Sequence, residues 1–127
     1  INLAVKFFCM RLSSICVPRD LGSMATLTPV PNKPCDDVPT HPFIRIKINA
    51  YPYTNVVKEH EKHIDFNYEH TGAVFSLNTC DGYTKFSDGT KVESIANRIV
   101  FFDASKYHQS TTTSNAKLRY NMNFNFL

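Results

Sequence analysis

The chain has 127 residues, 43% hydrophobic and 13% aromatic, the composition of a globular domain long enough for one core but not for two independent ones. Its 14 basic and 11 acidic residues leave a net charge of +3 spread along the sequence, too small a surplus for a nucleic-acid surface. No apolar run reaches a membrane-spanning length, so neither a nucleic acid nor a membrane is expected as a partner, and a cytoplasmic location is expected.

The sequence opens at Ile1 rather than at a methionine, as expected of an N-terminally truncated fragment. Lys6 interrupts the apolar run from Leu3 to Met10 and no small-residue cleavage site follows closely, so the opening reads as a helix and not as a secretory signal. Over residues 1–22 the positions Leu3, Phe7, Met10 and Ile15 lie near helical spacing, with Gly22 past the end. From Ser23 to Pro42 the prolines 29, 31, 34, 39 and 42 forbid regular helix, which predicts a linker or an irregular lid. Two parts follow: an N-terminal helix with a Pro-rich linker over 1–42, and a core over 43–127. Cys9, Cys16, Cys35 and Cys80 form no Cys-x-x-Cys pair and read as reduced structural thiols.

After Pro42 the pattern is β. Phe43 to Tyr51 alternates, with Ile44, Ile46 and Ile48 on one face and Arg45, Lys47, Asn49 and Tyr51 on the other. Further strands are predicted at Glu61–Phe66, Gly72–Asn78, Thr84–Phe86, Lys91–Ser94, Asn97–Asp103 and Tyr107–Ser110, with turns at Asp81-Gly82 and Asp88-Gly89. The last strand, Lys117–Leu127, sets Arg119, Asn121, Asn123 and Asn125 against Tyr120, Met122, Phe124 and Phe126. Short strands at this spacing mean a sandwich or barrel. Its polar face would line a pocket, and its apolar face would be covered by helices, residues 1–22 supplying part of the cover.

His63-Ile64-Asp65 is a His-x-Asp pair, and at strand spacing its two side chains project to one face. His108, after an apolar strand, can add a third ligand. Two histidines and a carboxylate on one side of a metal leave positions open, the arrangement used by mononuclear non-haem Fe(II) oxygenases. Arg119 opens the polar face of the last strand, where a guanidinium can grip a carboxylate with two charge-assisted hydrogen bonds.

From Phe43 to Leu127 the chain resembles the double-stranded β-helix (jelly-roll, cupin-like) domain of the 2-oxoglutarate/Fe(II) oxygenases. It is most similar to the prolyl-4-hydroxylase-like branch and its phage and bacterial relatives. The matching stretches are Asn49-Ala50-Tyr51-Pro52, His63-Ile64-Asp65, Ser76-Leu77-Asn78, Gly82-Tyr83-Thr84-Lys85-Phe86, Asn97-Arg98-Ile99-Val100-Phe101-Phe102, Tyr107-His108-Gln109-Ser110 and the Arg119 strand ending Asn123-Phe124-Asn125-Phe126. The resemblance implies His63, Asp65 and His108 as iron ligands and Arg119 as the holder of the 2-oxoglutarate C5 carboxylate. It further implies Tyr51 as a co-substrate hydrogen-bond donor and Asn125 as a pocket-lining residue. Where relatives often carry Tyr-Tyr before Leu-Asn, this chain has Phe75-Ser76, so Ser76 would act through a water or co-substrate affinity would differ.

The activity so implied is hydroxylation of an unactivated C–H bond by an Fe(II)- and 2-oxoglutarate-dependent dioxygenase using O2, with ascorbate as a candidate addition. A peptidyl-prolyl or other protein side chain is the first expectation for the substrate. A small metabolite or a nucleobase is the alternative within the enzyme class; the oligomeric state is left open. A different class, a non-catalytic β-helix binding module, is disfavoured by retention of three ligands and the arginine. A zinc site on His60 and His63, helped by Glu61 or His70, would need a helix there. His41 and His70 read as surface residues, and Ser110 to Thr113 as a loop. Asp103 either orients His108 or caps a turn, and the sequence leaves both open.

Overall fold

The computed structural model describes residues 24–26 and 43–127. The expected helix over 1–22 and most of the linker, with His41, Cys9, Cys16 and Cys35, lie outside the described residues. Among the described residues the strands are β1 Met24–Thr26, β2 Phe43–Pro52, β3 Thr71–Ser76, β4 Tyr83–Phe86, β5 Lys91–Glu93, β6 Arg98–Asp103, β7 His108–Ser110 and β8 Leu118–Phe126. No helix among them is long and apolar enough to cross a membrane.

Strand β8 organises the molecule. It lies between β2 and β3 in a sheet of order β1-β6-β3-β8-β2, while β5-β4-β7 form a second sheet; every strand pair is antiparallel. Residues 53–63 run beside the second sheet through isolated bridges, Tyr53 to Thr113, Glu59 to Thr111 and His63 to His108. From β2 onward the chain therefore alternates between the sheets: β2, then 59–63, β3, then β4 and β5, β6, β7 and β8. Two sheets wound in this alternating order are a double-stranded β-helix, the cupin-like jelly roll.

The alternation of β8 decides which side chains enter. Val74 is opposite Asn123, and Ser76 opposite Asn121, on the inner face, while Ala73 faces Phe124 and Phe75 faces Met122 on the outer face. Ala73, Phe75, Ile99, Phe101, Phe124 and Phe126 form the larger hydrophobic cluster on that outer face. A smaller one, Val74, Phe102 and Ala104 with Phe86 against it, fills part of the lumen. Burying one such phenylalanine contributes about 1.5–3 kcal/mol. Toward the β2 edge the apolar face is exposed among the described residues, with Ile46 at 48% and Ile48 at 68% exposure; the helix expected to cover part of this face lies outside the described residues.

Three expectations need correction. Met24–Thr26, assigned to an irregular linker, pairs with β6 as strand β1; its three residues precede Pro29, the first proline of that segment, and an open β6 edge supplies the hydrogen bonds. The strand expected over Glu61–Phe66 is reduced to the His63 bridge, because Asp65 turns its amide to Ala104 rather than to a ladder (3.1 Å). Ser110 to Thr113 is no free loop: Thr111, Thr112 and Thr113 are buried, and Thr111 and Thr113 are bridged to Glu59 and Tyr53. The Asp88-Gly89 turn is present, with Gly89 at φ 88° closing the β4–β5 hairpin. Asn97 at φ 65° turns the chain into β6, a left-handed position that asparagine tolerates better than most residues. Cys80 is buried and free, as a structural thiol should be.

Candidate metal centre and its pocket

His63 and His108 are directly opposed across the bridge and exchange both backbone hydrogen bonds, each N–H to O at 3.0 Å. That pairing brings the two imidazoles side by side, centroids 4.5 Å apart and planes tilted by 55°. Asp65, two residues on, returns to the same side. His63 Nε2 lies 3.9 Å from Asp65 Oδ1, and His108 Nε2 lies 4.0 Å from Asp65 Oδ2. One ligand atom from each residue falls within 4.8 Å of the others, a group that can hold a metal ion.

Tautomers follow from the carbonyls. His108 Nδ1 faces the Lys106 carbonyl at 3.0 Å and His63 Nδ1 the Glu61 carbonyl at 3.4 Å. A carbonyl only accepts, so each Nδ1 carries the proton and each Nε2 offers a lone pair toward Asp65. Among the described residues, His108 Nε2 is the buried side-chain nitrogen or oxygen left without a hydrogen-bond partner. Burying an unmatched acceptor costs about 1–3 kcal/mol, which a bound cation would offset. Burial lowers the pKa of His108 and outweighs the Lys106 carbonyl, which raises it, so the ring stays neutral and free to donate. Burial alone would raise the Asp65 carboxyl. The Asn125 hydrogen bond, with the charge and hydrogen bond of Arg45, outweighs it, and Asp65 is held below the ordinary carboxylate range.

The group opens on a cavity of about 230 Å³ lined also by Lys47, Asn49, Tyr51, His60, Val74, Thr84, Asn121 and Asn123. Tyr51 stands on the cavity wall. Arg119 is 1% exposed and stands behind Tyr51, its guanidinium carbon 5.3 Å from the centre of that ring. It donates through Nε to Ser94 Oγ (2.6 Å), Nη1 to the Thr111 carbonyl (3.1 Å) and Nη2 to Thr84 Oγ1 (3.0 Å). A guanidinium has five N–H groups, so two remain after these three. No carboxylate among the described residues pairs with it. Burial lowers its pKa, against the pull of Tyr51 and Cys80. Thr84 is opposite Ser110 and Phe86 opposite His108, so the arginine's partner lies two residues from the level of the metal group, about 7 Å along β4.

Several side chains do other work than expected. Asn125 is fully buried and absent from the cavity wall; its Nδ2 donates to Asp65 Oδ2 at 2.8 Å and lies 3.3 Å from His70 Nε2. His70, read as a surface residue, is 5% exposed between Asn125 and the Tyr68 carbonyl. Asp103 caps the turn at Ser105 and pairs with Lys106, leaving His108 to the Lys106 carbonyl. His60 lines the cavity but bonds Ser110 Oγ and stands outside the ligand group, which removes the support for a His60–His63 zinc pair. Arg45, whose Nη2 donates to Asp65 Oδ1 at 2.7 Å, was not singled out by the sequence reading. The only hint was its place on the face shared with Asn49 and Tyr51.

No family model and no curated protein matches the sequence. Solved structures that align with part of this chain include the following three. A prolyl-4-hydroxylase from Pseudomonas putida aligns at 19% identity and TM-score 0.49, over 64% of this chain and 50% of that one. A cupin protein from Bacteroides fragilis aligns at 16% and 0.43, over 65% and 63%. An RmlC-like cupin protein from Desulfovibrio desulfuricans aligns at 10% and 0.44, over 65% and 82%. The chain thus spans half the length of the first and less than two thirds of the second.

Proposed function

We propose that this chain carries the catalytic core of an Fe(II)- and 2-oxoglutarate-dependent oxygenase, with His63, Asp65 and His108 as ligands and Arg119 as the co-substrate anchor. The observation that carries the reading is the orphaned, buried Nε2 of His108, aimed at a carboxylate and a second imidazole. Two imidazoles and one carboxylate leave coordination positions open, which suits a metal that must also take a co-substrate and dioxygen. Iron bound there would supply the oxidative chemistry, one atom of O2 entering succinate as 2-oxoglutarate loses carbon dioxide and the other entering the hydroxylated C–H bond.

The side chains have separable tasks. The Lys106 and Glu61 carbonyls keep both imidazoles in the donor tautomer. Arg119, a buried cation that no carboxylate among the described residues pairs with, supplies the charge that a co-substrate carboxylate would meet, and its remaining N–H groups, with the hydroxyls of Thr84 and Ser94, supply hydrogen bonds. Tyr51 closes the cavity over that guanidinium and offers a phenol to the same ligand. Phe102, edge-on to His108 at 4.8 Å between centroids, keeps water from one side of the group. A peptidyl-prolyl or other protein side chain is our first choice of substrate.

One observation favours a second reading, a β-helix binding module without turnover: Arg119 is behind the cavity wall, and its three described donors already serve protein atoms. Anaerobic addition of Fe(II) and then 2-oxoglutarate separates the two. The oxygenase gives a weak visible charge-transfer band that His108→Ala loses. A folded wild type that binds Fe(II) with no band on adding 2-oxoglutarate leaves the binding module as the better account.

A further inference from the structure

Asp65 is the ligand with the least help from its backbone. It follows an isolated bridge, has one backbone hydrogen bond at 3.1 Å to Ala104, and belongs to no strand. The rotation of its carboxyl group must then come from side chains, and two supply it. Arg45 Nη2 donates to Oδ1 at 2.7 Å, Asn125 Nδ2 donates to Oδ2 at 2.8 Å, and Arg45 Nε donates to Asn125 Oδ1 at 3.2 Å. The three side chains close a ring of hydrogen bonds around a carboxylate that is 6% exposed.

The fold goes out of its way to put Arg45 there. On an unbroken strand, Phe43 and Arg45 would share a face. A register irregularity between them separates the two, so Phe43 packs outside against Phe124 and Phe126 while Arg45 turns into the lumen opposite Asn125. Phe66, next to the ligand, then takes the guanidinium on its ring face, with the Arg45 carbon 4.9 Å from the centroid.

We propose that Arg45 is a positioning residue for the metal: with Asn125 it locks the Asp65 carboxylate in the rotation that turns its oxygens toward His63 and His108. This rests on the metal reading above. The cation also compensates a buried carboxylate before any metal arrives, so the site is formed in advance.

The test uses Co(II) alone as the probe, titrated into the full chain, with affinity and the visible d–d spectrum as readouts and circular dichroism as the fold control. Arg45→Met should bind Co(II) about ten- to a hundredfold more weakly, with an altered d–d spectrum and an unchanged fold. Arg45→Lys, which keeps the charge and one donor, should recover most of the affinity. If Arg45→Met does not fold, Arg45→Gln gives the same comparison with a polar side chain. A folded Arg45→Met or Arg45→Gln that binds as wild type does, or more tightly, with the wild-type spectrum overturns the positioning role and leaves the metal site intact. A wild type that does not bind Co(II), or His108→Ala binding as well as wild type, removes the metal reading itself and this proposal with it.

Discussion

A methyl group on Gly82 would stand 2.6 Å from Arg119 Cδ and 2.6 Å from the Thr112 carbonyl oxygen. The arginine stem is laid across the space where any other residue would carry its Cβ. Neither neighbour gives way easily. The Thr112 carbonyl accepts from Thr111 Oγ1 at 2.9 Å, and the guanidinium is pinned at three points.

Gly82→Ala should therefore move Arg119 or the buried threonine segment. Overpacking of this kind costs about 1–3 kcal/mol, read as a lower midpoint in thermal unfolding. The 2-oxoglutarate affinity should fall by about tenfold or more, one power of ten for each 1.4 kcal/mol, while Co(II) binding stays near wild type. Unchanged stability together with unchanged 2-oxoglutarate binding would show that the neighbours relax freely.

Arg119→Ala removes the charge and leaves Ser94, Thr84 and the Thr111 carbonyl without their donor. The loss of a charge-assisted pair should raise the 2-oxoglutarate KM by about 2 kcal/mol or more, roughly thirtyfold. Metal affinity should change little, since the arginine's partner Thr84 is two residues along β4 from Phe86, the residue opposite His108. A KM equal to wild type would assign the carboxylate to another cation, with Lys47 on the cavity wall the first to examine.

How much of this could be read beforehand follows from how local each signal is. The faces of β8 are written in period two along one strand, so Arg119 and the asparagines were legible, and so were His63 and Asp65 on one side of the chain. Where the information is non-local, reading failed. Asn125 faces the lumen as its alternation requires, but what it meets there is Asp65, sixty residues away. His70 looks like a surface histidine in a polar stretch; its burial depends on Asn125 from β8 and on the rings of Phe66 and Tyr68. The Glu61–Phe66 segment has the alternation of a strand, yet only His63 finds a ladder partner.

Metal should stabilise the fold measurably, because it satisfies His108 Nε2 and meets the Asp65 charge only in the native state. At a Co(II) or Zn(II) concentration one hundred times Kd, linkage gives about 2.7 kcal/mol, which for a domain of this size is a midpoint rise of roughly ten degrees. A chelator should reverse it, and His108→Ala should show no rise. An equal rise in wild type and His108→Ala would mean that the metal binds elsewhere.

Asp81 gives a pH dependence distant from the metal group. Its Oδ1 accepts from Thr113 Oγ1 at 2.7 Å and from the Ser114 amide at 2.9 Å, and its Oδ2 accepts from Ser114 Oγ at 2.5 Å. Burial pushes its pKa up, but these hydrogen bonds outweigh it and bring the carboxyl from 3.8 down to about 2. A carboxylate whose folded pKa lies below its unfolded value contributes stability above the unfolded pKa and loses it as pH falls. Here the window runs from pH 3.8 down to about 2. Asp81→Asn should be less stable than wild type at neutral pH, with the gap closing across that interval. Denaturant melts at several pH values measure it, and a gap that stays constant down to the bottom of the interval would mean that Asp81 holds the Thr113–Ser114 segment by shape and not by charge.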